Sequence, residues 1–299
     1  MDRAKTVAAG LTALLLISAG ACGRRGVDSP VIRIGSKNFT EQVVLGEIVA
    51  QQVERRLGRP VERRLNLGGT LLAHQALLSG DIDVYPEYTG TALSAVLKLS
   101  VDSNDPSATL TRVRNEYEQR FQINWLEPLG IDNGFAMVVK TRSGAASIRT
   151  LSEAAASPEA WQLGDGYEFE QRSDGLAALN RAYGLRWAGT PRSMDLGLLY
   201  RALEQGQVSM IAANATDGLL TRGDFTALAD DKHAFPPYEV CLAVRESSLA
   251  NIPGLRSALQ ELSGRFTNQS MQRLNYLADV EHRPIPEIAA GFLGADSAR

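Results

Sequence analysis

Between residues 34 and 91 three fragments follow one another, IGSKNFTEQ, LNLGGT and GDIDVYPEYTGT, and each reads as a strand running through a polar loop into a helix. Repeating that order calls for strands joined by helical crossovers, so the stretch commits the chain to an α/β fold. Residues 31–35 are a short β-branched run, and Thr40-Glu41-Gln42 offers a capping hydroxyl and an acidic first turn for a helix ending near Leu57-Gly58. Residues 61–65 alternate as a second strand, Gly68-Gly69 turns the chain, and Thr70 is placed to cap a helix through Ser79-Gly80. Residues 82–85 form a third strand that Pro86 breaks, with Thr89 capping the helix that carries Leu93, Val96 and Leu97. Loops at the carboxyl ends of parallel strands converge on one crevice, which gathers Lys37, Tyr85, Tyr88 and Thr91 around a common ligand.

The same order continues in EFEQRSDGLAALNRAYGL (168–185), SMDLGLLYRALEQGQV (193–208), ATDG (215–218) and FPPYEV (235–240). Taken together, these fragments resemble the substrate-binding proteins of ABC transporters for osmoprotectants such as glycine betaine, choline and carnitine. The resemblance covers residues 31 to 290. It implies a two-lobed type II periplasmic binding fold with a hinge of two crossings, and a chain that delivers a quaternary ammonium compound to a separate permease and ATPase.

Composition agrees with two lobes of ordinary size, since 299 residues at 44% hydrophobic can bury two modest cores. With 31 basic against 34 acidic residues the net charge is −3, and no polybasic surface speaks for nucleic acid or anionic lipid. At the N-terminus Arg3 and Lys5 precede an apolar run over 7–17 that ends in Ser18-Ala19-Gly20-Ala21-Cys22, the layout of a secretory signal. That run is too short for a comfortable membrane span. Cys22 suggests a lipoprotein whose acylated cysteine becomes the first residue, with 23–30 as a flexible stalk. Ala19 and Ala21 also satisfy an ordinary cleavage site, which would leave Cys22 unmodified. The expected location is extracytoplasmic, and the expected state a monomer. Cys241, the other cysteine, lies in an apolar run and reads as a small buried hydrophobe.

The first lobe is expected to comprise 31–132 and 236–299, and the second 133–235. In the second lobe, 135–140 reads as a strand, Ser173 starts a helix through Tyr183 that Gly184 stops, 195–204 is a helix, and 210–213 is a buried strand. The chain then returns near Pro236-Pro237 into a strand over 238–245, with helices around 253–265 and 286–292. Two crossings make a hinge about which the lobes close on a ligand.

A trimethylammonium group carries a diffuse charge and offers no conventional donor, so aromatic faces hold it best. By resemblance the cage positions are Tyr88, Phe135, Asn214 and Tyr238, with Gln42 as a further wall. Lys37, Thr91 and Arg172 match positions that hold the polar tail, Arg172 being able to grip a carboxylate in bidentate fashion. Two positions depart from the family. Relatives typically carry Tyr where this chain has Asn214, and often Tyr where it has Phe135. Losing an aromatic face forfeits roughly 0.5 to 2 kcal/mol. Asn214 adds a donor and an acceptor, which leaves a larger betaine such as ergothioneine as an alternative ligand. A second alternative is a sensing module that docks on a receptor.

Bland readings stand beside these. Taken singly, Tyr88 and Tyr238 would be packing residues, and Lys37 and Arg172 solvated charges or lobe-bridging ion pairs. Tyr85 is as readily core as ligand contact, Tyr167 is near enough to Arg172 to replace a missing cage wall, and Trp125, Trp161 and Trp187 read as packing. Catalysis finds no support. Asp81, Asp83 and Glu87 are expected to cap helices or face water, and His74, His233 and His282 lack metal-ligand spacing. Neither a cofactor nor a metal is called for.

Overall fold

A computed structural model describes residues 31–100, 103–141 and 148–295. The signal segment, Cys22 and the stalk lie outside the described residues. Strands β1 (Ile32–Gly35), β2 (Val61–Arg64), β3 (Val84–Tyr88) and β4 (Ile123–Trp125) come first, then β5 (Phe135–Lys140), β6 (Leu163–Asp165), β7 (Arg192–Ser193), β8 (Met210–Asn214) and β9 (Phe225–Leu228), and last β10 (Val240–Arg245). They form two five-stranded sheets, ordered β2-β1-β3-β10-β4 and β7-β6-β8-β5-β9.

In the first sheet β1 pairs in parallel with β2 on one side and β3 on the other, while β10 runs antiparallel to β3 and β4. The loops leaving β1 and β3 therefore part at the point where the strand order reverses, and a crevice opens there. The strand alternation is visible in β10: Val240, Leu242 and Val244 join one core layer with Ile32, Ile34, Val44 and Leu45, while Cys241 and Ala243 join Leu77, Tyr85, Tyr117 and Trp125 on the other face. Likewise Met137 and Val139 of β5 face one layer and Ala136 and Val138 another.

The chain crosses between the sheets twice, over 126–134 and 229–239, and the two passages run side by side. Asp132 and Glu239 form an antiparallel bridge, Asn133 N–H donates to the Tyr238 carbonyl at 3.2 Å, and Tyr238 N–H donates to Asp132 Oδ1 at 2.9 Å. The helix Asn268–Asp279, which the sequence reading omitted, packs both on α1 (Thr40–Leu57) and on the turn at Gly218–Arg222 of the second lobe.

Several local expectations shift. Phe39, not Thr40, is the residue before α1, and the Thr40 hydroxyl instead donates to Asp279 Oδ1 at 2.6 Å. Gly69 precedes α2 (Thr70–Ser79), and Tyr88 precedes the turn Thr89–Thr91. Pro86 does not break β3. Because β1 meets β3 only at Ile34 and Val84, one edge of β3 is unpaired beyond that point and takes a proline without losing a ladder bond. The helix expected from Ser173 starts at Leu176 and runs to Tyr183, stopped as expected by Gly184 in the left-handed region at φ 61°, and a separate short helix, Tyr167–Gln171, precedes it. Within the helical region expected around 253–265 the helix covers Leu255–Gln260, and a further short helix, Glu246–Asn251, precedes it. Glu87, expected at the surface, is fully buried, and Asp83 is buried between the Arg33 N–H and the Ser248 hydroxyl.

Candidate functional site

A cavity of about 850 Å³ lies between the two sheets, within the range of about 300 to 1,000 Å³ typical of small-ligand sites. The loop after β1 brings Lys37 and Phe39 to it, and the first turn of α1 brings Glu41. The end of β3 and the turn after it bring Tyr88 and Thr91, the facing strands β5 and β8 bring Phe135 and Asn214, and the segment after β6 brings Tyr167, Glu168 and Arg172. Tyr238 enters from the second crossing. Gly90 makes that approach possible, since a Cβ there would lie 2.7 Å from the Pro237 carbonyl and 2.8 Å from the Tyr238 ring. Seven of the eight residues selected from the sequence therefore line one cavity. Gln42 is fully buried behind them, donating to Tyr88 Oη at 3.0 Å and accepting from the Lys37 N–H at 3.1 Å.

The aromatic side chains come from both lobes. Tyr88 stacks with Phe39 at 6.2 Å and 24° between ring planes. Phe135 meets Phe169, Phe235 and Tyr238 edge to face at 4.8, 5.6 and 5.7 Å. Tyr85 is wholly core and donates to Glu87 Oε2 at 2.9 Å, whereas Tyr167 stands 64% exposed at the cavity rim. Trp125 and Trp161 are buried and Trp187 is half-buried, all away from the lining.

Both cations of the cavity already hold carboxylates of the chain. Lys37 Nζ lies 2.5 Å from Glu87 Oε1, 3.1 Å from Thr70 Oγ1 and 4.9 Å from the centre of the Tyr88 ring. Arg172 makes a bidentate pair with Asp174, Nε to Oδ1 at 2.9 Å and Nη2 to Oδ2 at 2.6 Å, and its guanidinium lies over Phe135 at 4.9 Å and Tyr238 at 5.7 Å. Asp174 also accepts from Tyr238 Oη and Ser94 Oγ, each at 2.7 Å. Burial opposes both charges, yet pairing outweighs it, so the Arg172 pKa stands above its ordinary value and the Asp174 pKa below.

Glu41 is the residue that sequence reasoning passed over as a helix-end charge. Only 2% exposed, it accepts from Tyr88 Oη at 2.8 Å, Asn133 Nδ2 at 2.8 Å, Asn275 Nδ2 at 3.4 Å and the Thr216 hydroxyl. Burial lifts its carboxyl above the usual range against the pull of those donors. One carboxylate thus ties the Tyr88 ring, a crossing segment, the second lobe and the helix Asn268–Asp279 together. At the far end Asp217 accepts from Tyr200 Oη and from Asn214 N–H, both at 3.1 Å, and burial pushes its pKa up to about 6.

Glu41, Glu168, Asp195, Asp217 and Asp279 all line the cavity, against Lys37 and Arg172, whose charges are matched from within. The enclosed field is acidic. A small cation with an apolar skin is the species such a lining accommodates, held by ring faces and drawn in by uncompensated carboxylates. Among the described residues no group of three or more His, Cys, Asp or Glu side chains is placed to hold a metal ion.

Residues 30–295 match the family described as the substrate binding domain of ABC-type glycine betaine transport system. The chain is 31% identical over 295 residues to a glycine-betaine-binding protein of Pseudomonas aeruginosa, covering 95% of this chain and 93% of that one. It is 30% identical over 285 residues to a carnitine transport binding protein of Listeria monocytogenes, covering 94% and 92%. Among solved structures, one described as a glycine betaine/carnitine/choline ABC transporter superimposes with a TM-score of 0.74 at 27% identity, over 88% of this chain and 98% of that chain.

Proposed function

This chain belongs to the family of substrate binding domains of ABC-type glycine betaine transport systems, and from that premise we propose that its cavity binds a quaternary ammonium compound reversibly, without chemistry, and hands it to a membrane permease driven by an ATPase. The observation that carries this reading is the union of aromatic faces from both lobes with an excess of carboxylates in one enclosed cavity. Tyr88, Phe135 and Tyr238 supply faces for the ammonium group, Thr91 and Asn214 supply polar contacts, and Lys37 and Arg172 act as paired charges that shape the wall. Residues 31–132 and 236–299 move as one lobe and 133–235 as the other, pivoting on the paired crossings at Asp132–Glu239 and Asn133–Tyr238. Closure takes the ligand out of water, where each electrostatic contact strengthens.

The delivery role places the chain outside the cytoplasmic membrane. We assign residues 1–22 to a secretory signal segment that ends in the lipoprotein Cys22, supported by the apolar run ending in small residues before Cys22, and we take the anchored protein to be a monomer. Among the described residues no helix is long and apolar enough to cross a membrane.

Calorimetry on the purified mature protein tests the ligand class, with glycine betaine, choline, carnitine, proline betaine and ergothioneine as the panel. Saturable binding of a trimethylammonium compound is expected. Absence of heat from all five at millimolar concentration would discard the class.

A further inference from the structure

At the rim of the cavity one side chain of the second lobe reaches across to the first. Glu168, in the short helix Tyr167–Gln171, accepts from the Thr70 N–H at 2.9 Å through Oε1 and from the Thr70 hydroxyl at 3.1 Å through Oε2. Thr70 opens α2, and the first N–H groups of a helix have no partner within it. Gly69, the residue before it, has no side chain to cap with. Its bareness is what admits the carboxylate, because a Cβ at Gly69 would lie 2.4 Å from Glu168 Oε1. The cap of a first-lobe helix is therefore supplied from the other lobe, and the negative charge sits where a helix N-terminus favours it.

Both ends of this contact are anchored. The Thr70 hydroxyl accepts from Lys37 Nζ at 3.1 Å, and Lys37 is paired with Glu87. Behind Glu168 stands Arg172 Nη1 at 3.8 Å, its guanidinium fixed by Asp174. A line of alternating charge and dipole thus runs from the floor of one lobe, over the cavity rim, into the wall of the other.

We propose that Glu168 is a positioning residue that latches the lobes shut over the bound solute, an inference that rests on the binding function given above. Asp174 also reaches across, to Ser94, but it holds Tyr238 on the crossing segment as well, close to the pivot, and is 4% exposed. A contact beside a pivot survives a small rotation, whereas one at the rim is broken by it. The Glu168 side chain is 48% exposed, so water replaces its contacts as the lobes part. The latch consequently favours the closed arrangement with or without solute, and because a solute must enter while the lobes are apart, its loss acts on departure rather than arrival.

Stopped-flow fluorescence with glycine betaine on the full chain reads this directly. Glu168→Ala is expected to raise the dissociation rate about three- to tenfold while the association rate changes less than about twofold. Glu168→Gln, which keeps an acceptor but loses the charge, should fall between, and Thr70→Val combined with Glu168→Ala should cost less than the two singly. An unchanged dissociation rate in Glu168→Ala, or a loss confined to association, overturns the proposal. Should the unaltered protein bind no betaine, the ligand class fails, and the latch is then judged by small-angle scattering on the ligand-free chain. A larger radius of gyration in Glu168→Ala supports it, and identical curves reject it.

Discussion

Phe135 and Asn214 lie directly opposite each other on the antiparallel strands β5 and β8, and both line the cavity. Side chains facing each other across such a pair share one side of the sheet, so Phe135 and Asn214 form a single patch. That patch belongs to the second lobe, while Lys37, Tyr88 and Thr91 keep the first lobe's part of the site intact.

Adding an aromatic face at this patch should tighten the hold on a compact trimethylammonium group. Asn214→Tyr is expected to improve glycine betaine binding by roughly 0.5 to 2 kcal/mol, and to improve it more for glycine betaine than for ligands with a bulky polar tail. Calorimetric affinities of the variant against the ligand panel check this. An unchanged ranking removes position 214 from substrate discrimination.

Arg172 is paired within the chain, so its removal should be felt in stability before binding. Arg172→Ala leaves Asp174 buried without its counter-charge and is expected to lower unfolding free energy by about 3 to 5 kcal/mol. Arg172→Lys should recover only part of that, because an ammonium cannot make the parallel bidentate pair or lie flat over Phe135. Urea unfolding of the ligand-free variants measures both. A stable Arg172→Ala that merely binds weakly would return the guanidinium to direct ligand contact.

Tyr88 carries two separable duties. Tyr88→Phe keeps the ring but takes from Glu41 one of its donors and from Gln42 its acceptor, a change expected to destabilise by about 1 to 3 kcal/mol. Glycine betaine affinity should fall much less than in Tyr88→Ala, which also removes the ring face. Thermal unfolding and titration of the two variants separate hydrogen bonding from cation–π attraction.

Asp217 makes both stability and binding depend on pH. Its native pKa, about 6, lies above the ordinary 3.8, so between those values the folded protein binds more protons than the unfolded chain and stability falls as pH rises. Over the same window a rising pH ionises Asp217 in the cavity, and affinity for a cation should increase. Asp217→Asn is expected to flatten both trends. Chemical denaturation and calorimetry at a series of pH values follow them, and slopes identical to those of the unaltered chain would exclude Asp217 as their source.

The succession of elements follows from local residue order. Alternation and helical spacing are properties of neighbouring residues, and so β1, α1, β2, α2, the strand at Phe135–Lys140 and the stop at Gly184 were legible before any coordinates. The resemblance carried by those motifs implied one site for Lys37, Tyr88, Thr91, Phe135, Arg172, Asn214 and Tyr238, and all seven line one cavity. Tertiary structure decided what those groups hold. Arg172 stands two residues from Asp174, a spacing that means nothing until Tyr238 and Ser94 arrive from elsewhere to bury the pair. Glu41 looked like a helix-end charge because its partners sit at 133, 216 and 275, and nothing near Glu168 in the sequence marks it as a cap because the helix it caps begins at Thr70. Burial and pairing depend on segments that meet only after folding, and a local pattern of residues does not record which charges those meetings will neutralise.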